Sequence, residues 1–334
     1  MGATRLGAAT MAALLLAGAA AAEPVTIKVA WIVAPTDSPL AMLGRPGIAQ
    51  HEGKSYTLDY VHFTSTPAMI TALATGEVDL APLGFPAFAL AIENAKLDDL
   101  RAVADSLQDG VGDGFSNRFY VLNDGPVKTV EDLKGKIVSS NAIGAAIDIG
   151  MRMMLRKHGL EDKRDYTLIE TVFPNMKPVL MDHKVDLVSL VPPFAFDPQV
   201  NAVAHVLFTQ KDAMGGPSQL LVTAARQGFI DKNRAALVDY FEDNLREIRW
   251  YLDPAHHDAA IATVAASTKT PPALWANWLF TSRDVYRSPV GKPDLAALQR
   301  NIAAGHELGF IPATLDTGKY ADLSLVDEAA ARLK

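Results

Sequence analysis

The chain has 334 residues, 49% of them hydrophobic and 21% charged, with a formal net charge of −7. That length fits about two domains, and the composition excludes a disordered, collagenous or coiled-coil chain. There is no cysteine, which excludes disulfides, thiolate metal sites, iron–sulfur clusters and a cysteine nucleophile together. No basic stripe is visible, so no nucleic-acid partner is expected.

Residues 1–22 read MGATRLGAATMAALLLAGAAAA. One charge, Arg5, precedes an apolar run from Met11 to Ala17 and a small-residue end at Ala20–Ala22. This is the pattern of a cleavable secretory signal, with cleavage expected after Ala22. The apolar run falls short of the roughly 20 residues that a membrane span needs.

The elements follow in chain order. Thr26–Ile32 is a β-rich strand, and its loop carries Thr36 and Ser38 before a helical pattern over Leu40–Gly44. Tyr56–Phe63 is a second strand. Thr64-Ser65-Thr66-Pro67 opens a helix that Gly76 closes, with a hydroxyl residue as the expected N-cap. Val78–Leu83 is a strand, Ala87–Ala95 a helix and Leu100–Ser106 a strand. This order predicts a mostly parallel sheet covered by helices. Gln108–Asn117 (QDGVGDGFSN) is a loop. A second series follows: strands over Phe119–Leu122, Lys136–Ser140, Tyr166–Thr171 and Val185–Leu190, with helices from Asn141 to about Lys157 and over Met176–Asp182. Leu220–Thr223 is again a strand. From Asp231 to Leu333 the pattern is almost wholly helical, broken at prolines.

An internal echo links the two series. Aligned at an offset of 107, Met69, Leu73, Val78, Asp79, Leu80, Leu83 and Pro86 meet Met176, Leu180, Val185, Asp186, Leu187, Leu190 and Pro193. The echo implies two similar lobes, each presenting strand ends and helix N-termini to a shared cleft.

Several segments carry a family resemblance. They are the opening TIKVAWIVAPTDSPL, then HFTSTPAMITALATGEVDLAPLGFPAFALAI, then VKTVEDLKGKIVSSNAIGAAIDIGMRMMLRKHGL, and VDLVSLVPPFAFDP. Over about 25–330 the chain resembles the periplasmic solute-binding proteins of ABC importers, in the nitrate, sulfonate and taurine group. The resemblance implies an α/β fold of the type II periplasmic-binding-protein kind. Two Rossmann-like lobes would flank a central ligand cleft, joined by two hinge crossovers, with a helical C-terminal region. One lobe is expected over 24–118 plus 218–334, the other over 119–217. It also implies a monomer that hands its ligand to an inner-membrane permease and performs no chemistry.

Such a binder needs donors for an anionic group, and helix N-termini supply them. Thr64, Ser65 and Thr66 serve either as ligand donors or as plain helix caps. Asn141, Gly144 and Ala145 open the next helix start. Small residues there either admit a ligand to the backbone or pack helix on sheet. Thr36 and Ser38 either bind or cap their loop. Phe85 and Phe194 at the echo loops would face the cleft and hold an apolar body, with core packing as the alternative and the better fit for Phe88 and Phe196. Arg118, beside Asn117 where the chain first crosses between lobes, would clamp a carboxylate or sulfonate, or else form a hinge salt bridge.

Other features carry less. His256-His257-Asp258 fits a surface helix, since adjacent side chains diverge. Asp79 and Asp186 sit at equivalent strand starts and fit a fold role. Trp275, Trp278 and Phe280 fit core or cleft-rim packing. GVGDG lacks the dinucleotide pattern and its strand–helix context, and no catalytic triad, G-x-S-x-G or P-loop is present. No catalytic residue, metal or cofactor is expected. The expected role is capture of a small organic anion, an aromatic or aliphatic carboxylate or sulfonate, in the periplasm. The alternatives are an enzyme on the same fold, of pyrimidine-precursor or chorismate type, or a ligand sensor for a membrane kinase.

Overall fold

A computed structural model describes residues 23–33 and 47–334. The signal segment 1–22, Thr36, Ser38 and the pattern over Leu40–Gly44 lie outside the described residues.

The first sheet is built from β1 (Val25–Trp31), β2 (Tyr56–His62), β3 (Ala81–Gly84), β4 (Leu100–Asp109) and β10 (Ser218–Arg226). β1 and β2 pair in parallel, a parallel bridge joins Val29 to Leu80 at the entry to β3, and β10 lies between β3 and β4. The second sheet is built from β5 (Arg118–Leu122), β6 (Ile137–Ser140), β7 (Thr167–Glu170), β8 (Leu187–Leu190) and β9 (Ala204–Thr209), in the order β7-β6-β8-β5-β9. The two orders correspond strand for strand. In each sheet the fourth strand, β10 or β5, runs antiparallel to both neighbours. The expectation of mostly parallel pairing is corrected there: each reversed strand is the one entered from the other sheet.

The echo holds in three dimensions. Helix α1 (Ala68–Thr75) precedes β3 after α1's C-cap Gly76 at φ 73°, and helix α4 (Phe173–Met181) precedes β8. Met69, Leu73, Val78, Leu80 and Leu83 and their counterparts Met176, Leu180, Val185, Leu187 and Leu190 are all buried core residues. The Asp79 Oδ2 accepts from the Lys28 amide at 2.9 Å, and the Asp186 Oδ2 from the Ile137 amide at 2.9 Å. Each carboxylate thus pins the neighbouring parallel strand, at the middle of β1 and at the start of β6, the fold role expected of it.

After β3 the chain enters α2 (Phe85–Glu93), a helix buried on nearly every side. Helix α3 (Ala146–Lys157) follows β6, with Asp148 in its first turn and Arg156 and Lys157 in its last, complementing the helix dipole. Short helices α5 (Pro198–Val203) and α6 (Gln210–Met214) flank β9. The C-terminal region holds α7 (Gln227–Leu252), α8 (His257–Thr268), α9 (Leu295–Glu307) and α10 (Ser324–Arg332). It is less helical than expected. Residues 269–294 contain only one 3-10 turn, because Pro271, Pro272, Pro289 and Pro293 remove amide donors and restrict their predecessors. No helix among the described residues is long and apolar enough to cross a membrane.

Candidate functional site

A cavity of about 70 Å³ lies where the two sheets meet, at the carboxyl ends of β1, β6 and β8. Thr66, Asn117, Asn141, Ala145 and Ala146 line it together with apolar side chains, among them Phe173, Leu107 and Leu221. It shares Ile32, Val33 and Phe173 with a second cavity of about 850 Å³, lined by Trp31, His62, Thr64, Phe194 and Trp275. The two form a small chamber, apolar but for Thr66, Asn117 and Asn141, that adjoins a larger aromatic one. No Lys, Arg, Asp or Glu among the described residues lines either.

The chamber holds three buried polar atoms without a partner: Thr66 Oγ1, Asn117 Nδ2 and Asn141 Oδ1. A buried donor or acceptor left unmade costs about 1–3 kcal/mol, so each of these atoms calls for a polar partner, whether water or ligand. Thr66 is not a cap. Helix α1 starts at Pro67 with no side-chain capping bond, and Thr66 contributes only its carbonyl, to the Met69 amide at 3.1 Å. The start of α3 adds donors, since the first amides of a helix, here Ala146 and Ile147, have no intrahelical acceptor. Asp148, fully buried, takes the Gly144 amide at 2.8 Å and pairs with Arg152 at 3.0 Å. Burial pushes its carboxyl upward against the pull of Arg152.

Four of the expected residues, Thr66, Asn117, Asn141 and Ala145, therefore come together in the chamber, and Thr64 and Phe194 line the larger cavity. Ser65 and Gly144 line neither; the Gly144 amide is taken by Asp148. Phe85 is corrected: at the first turn of α2 its ring is completely buried, with its edge 3.8 Å from the Cβ position of Gly305, so it belongs to the core. Arg118 is corrected as well. Its guanidinium lies 5.0 Å from the Phe115 ring and 5.5 Å from the Phe196 ring and donates to the Tyr120 hydroxyl, outside both cavity walls. Phe88 is core and Phe196 stacks on Trp278 at 4.8 Å.

Trp31, His62, Phe173 and Trp275 extend the wall beyond the expected set. Trp31 and His62 pack at 4.4 Å, and Phe173 stacks on Phe194 at 6.4 Å. Trp31 and Phe173 follow the rule that ligands gather beyond strand carboxyl ends, a signal present in the sequence. Trp275 comes from the late region and carried no such signal.

The two segments joining the sheets, 110–117 and 210–217, lie side by side. Asp109 accepts from the Ser116 hydroxyl at 2.5 Å and the Asn117 amide at 2.7 Å. Ser116 Oγ in turn accepts from the Lys211 amide at 2.9 Å, and the Asn117 carbonyl accepts from the Gln210 amide at 2.8 Å. Burial pushes the Asp109 carboxyl up to about 7. Elsewhere, His51, Asp239 and Glu242 form the one metal-ligating group among the described residues, but Arg246 and Arg332 already hold its carboxylates.

This architecture is that of the periplasmic binding proteins. The alkanesulfonate-binding protein SsuA from Xanthomonas axonopodis pv. citri, bound to MOPS, matches 91% of this chain and 100% of its own, with TM-score 0.69 and 19% identity. The nitrate-binding protein NrtA from Synechocystis PCC 6803 matches 93% and 90%, with TM-score 0.69 and 16% identity. The desulfurization enzyme DSZB shares the fold too, over 93% and 100%, with TM-score 0.63 and 15% identity. The chain belongs to the NMT1-like family, whose pattern matches residues 20–265. No curated protein sequence matches it.

Proposed function

We propose that this chain is the periplasmic solute-binding component of an ABC importer, exported through its N-terminal segment, that captures a small organic anion and delivers it to a permease. One lobe is 24–118 plus 218–334, the other 119–217, and the ligand sits between them. The observation that carries the reading is the pairing of two orphaned donors, Thr66 Oγ1 and Asn117 Nδ2, and a helix start with an adjoining aromatic cavity. A carboxylate or sulfonate head enters the chamber, where neutral donors and the α3 dipole compensate its charge. Its apolar or aromatic body lies against Phe173, Phe194 and Trp31. Names of similar structures support the class: SsuA binds alkanesulfonate and NrtA nitrate. The DSZB likeness keeps an enzyme in view, but the chamber walls contain no nucleophile–base pair and no charged acid or base among the described residues.

The test is a thermal-shift screen of the chain from Glu23 onward against taurine, alkyl and aryl sulfonates, benzoate, phthalates, cinnamates, nitrate and bicarbonate. A ligand at 100 times its Kd adds about 2.7 kcal/mol of stability. An aromatic acid that stabilises the wild type and not Asn117→Leu or Phe194→Ala supports the reading. Stabilisation by nitrate or bicarbonate alone overturns the organic body.

A further inference from the structure

A third cavity, of about 90 Å³, lies on the other side of the first sheet, between β1, β3, β4 and β10 and the second half of α7. It shares no lining residue with the cavities at the sheet junction. Asp105, Tyr240, Asn244, Glu247, Arg287 and Ser288 supply its polar wall. Two of these carry unmatched charge-bearing atoms of opposite sign. Glu247 is 4% exposed and its Oε2 has no partner; the Arg287 side chain is 9% exposed and its Nη2 has no partner.

Neighbouring atoms of Arg287 and Asp105 are occupied. Arg287 Nη1 pairs with Asp284 at 2.6 Å, and its guanidinium sits 5.4 Å from the Phe280 ring. Asp105 accepts from the Gln219 side chain at 2.8 Å and the Ser288 amide at 2.9 Å. What is left without a partner is the Glu247 carboxylate and one Arg287 guanidinium nitrogen, on two residues that line a single cavity. A purely apolar occupant would satisfy neither, and a simple ion would satisfy one of them. The volume, about 90 Å³, admits about six to nine water-sized spheres at 10–15 Å³ each, which is room for a molecule with five to eight heavy atoms.

We propose that this cavity is a second ligand site, separate from the one between the sheets, for a short zwitterion of the α-amino acid class. Its ammonium group donates to Glu247 Oε2 and its carboxylate accepts from Arg287 Nη2. Tyr240 and Phe241 line the same cavity and supply the aromatic groups that favour a cation there. Burial holds the Glu247 carboxyl well above its ordinary range against the pull of Arg287, and an ammonium partner adds to that pull.

The experiment uses the chain from Glu23 onward, with thermal shift and calorimetry against glycine and L-alanine, and methylammonium and acetate as single-charge controls. Glycine or alanine is expected to raise Tm by about 3 °C or more at a hundredfold excess over its Kd. Glu247→Gln is expected to weaken this binding about tenfold or more, with the response to organic anions unchanged. Should Glu247→Gln fold poorly, Asn244→Leu, half-buried on the same wall, takes its place with the same expectation. No shift from either zwitterion with the wild type folded by circular dichroism overturns the proposal. An equal shift from methylammonium alone, or electron density for water only in glycine-soaked crystals, overturns it too.

Discussion

A Cβ atom added to Gly84 would stand 3.3 Å from the Cβ of Ala146 and 3.2 Å from Oγ1 of Thr66. The end of β3 therefore touches the start of α3 across the junction of the two sheets, and it can do so because no side chain intervenes. Gly84→Val puts branches against both neighbours and holds the proposed lobes apart. We expect it to weaken binding of the proposed anion about tenfold or more, read by calorimetry, with a larger radius of gyration by X-ray scattering in the presence of ligand. Unchanged affinity would remove this contact from the closing surface.

Asn117 combines two roles that one substitution separates. Its backbone belongs to the crossover, while its side-chain Nδ2 is an orphan in the chamber. Asn117→Leu keeps the backbone and removes the unmatched donor. We expect stability equal to or up to about 1–3 kcal/mol above wild type, with ligand binding lost. A loss of stability on this substitution would mean that the amide is paired in the free protein.

The two phenylalanines of the echo loops should respond oppositely. Phe85 is enclosed in the core, so Phe85→Ala is expected to cost about 3–5 kcal/mol in denaturant unfolding. Phe194 packs in the larger cavity wall against Phe173. For Phe194→Ala we expect a smaller stability loss and a clear fall in affinity for ligands with an aromatic body, but not for nitrate.

Asp109 makes folding pH-dependent in a stated direction. Its carboxyl titrates near 7 in the folded chain against an ordinary 3.8. Between these values the unfolded chain has released the proton and the folded chain retains it. Stability from this group is thus full below about pH 4 and is lost as pH rises to about 7, by up to about 4 kcal/mol. Asp109→Asn keeps an acceptor for the Asn117 amide and a polar partner for Ser116. Urea midpoints of this variant between pH 4 and 7 should fall less steeply than those of wild type.

Much of the fold was legible because it repeats. Val-Asp-Leu after a helix, twice at one spacing, marks a strand whose leading aspartate pins its neighbour, and both copies do so. The reversed strands β5 and β10 were not legible, since strand direction depends on which sheet the chain has just left. Thr66, Asn117, Asn141 and Ala145, singled out from helix starts and from the segment after the Gly-rich loop, do line one cavity, and their binding role is the proposal. Phe85 and Arg118 were misplaced for a shared reason. Local sequence marks both as lying near the junction, but not that one turns into the core and the other lies against a pair of rings. Trp275 comes from more than 200 residues after Trp31, and no local pattern announces such a meeting.

The paired crossovers restrict how the molecule can move. A single strap would leave two bodies free to swivel, twist and slide on one another. Here the straps 110–117 and 210–217 are stitched together through Asp109, Ser116, Asn117, Gln210 and Lys211, so neither can shift without the other. On the proposed two-lobe reading, that leaves one easy degree of freedom, as in a book bound along its spine, and a partner of the proposed closed form would meet two registers rather than a continuum.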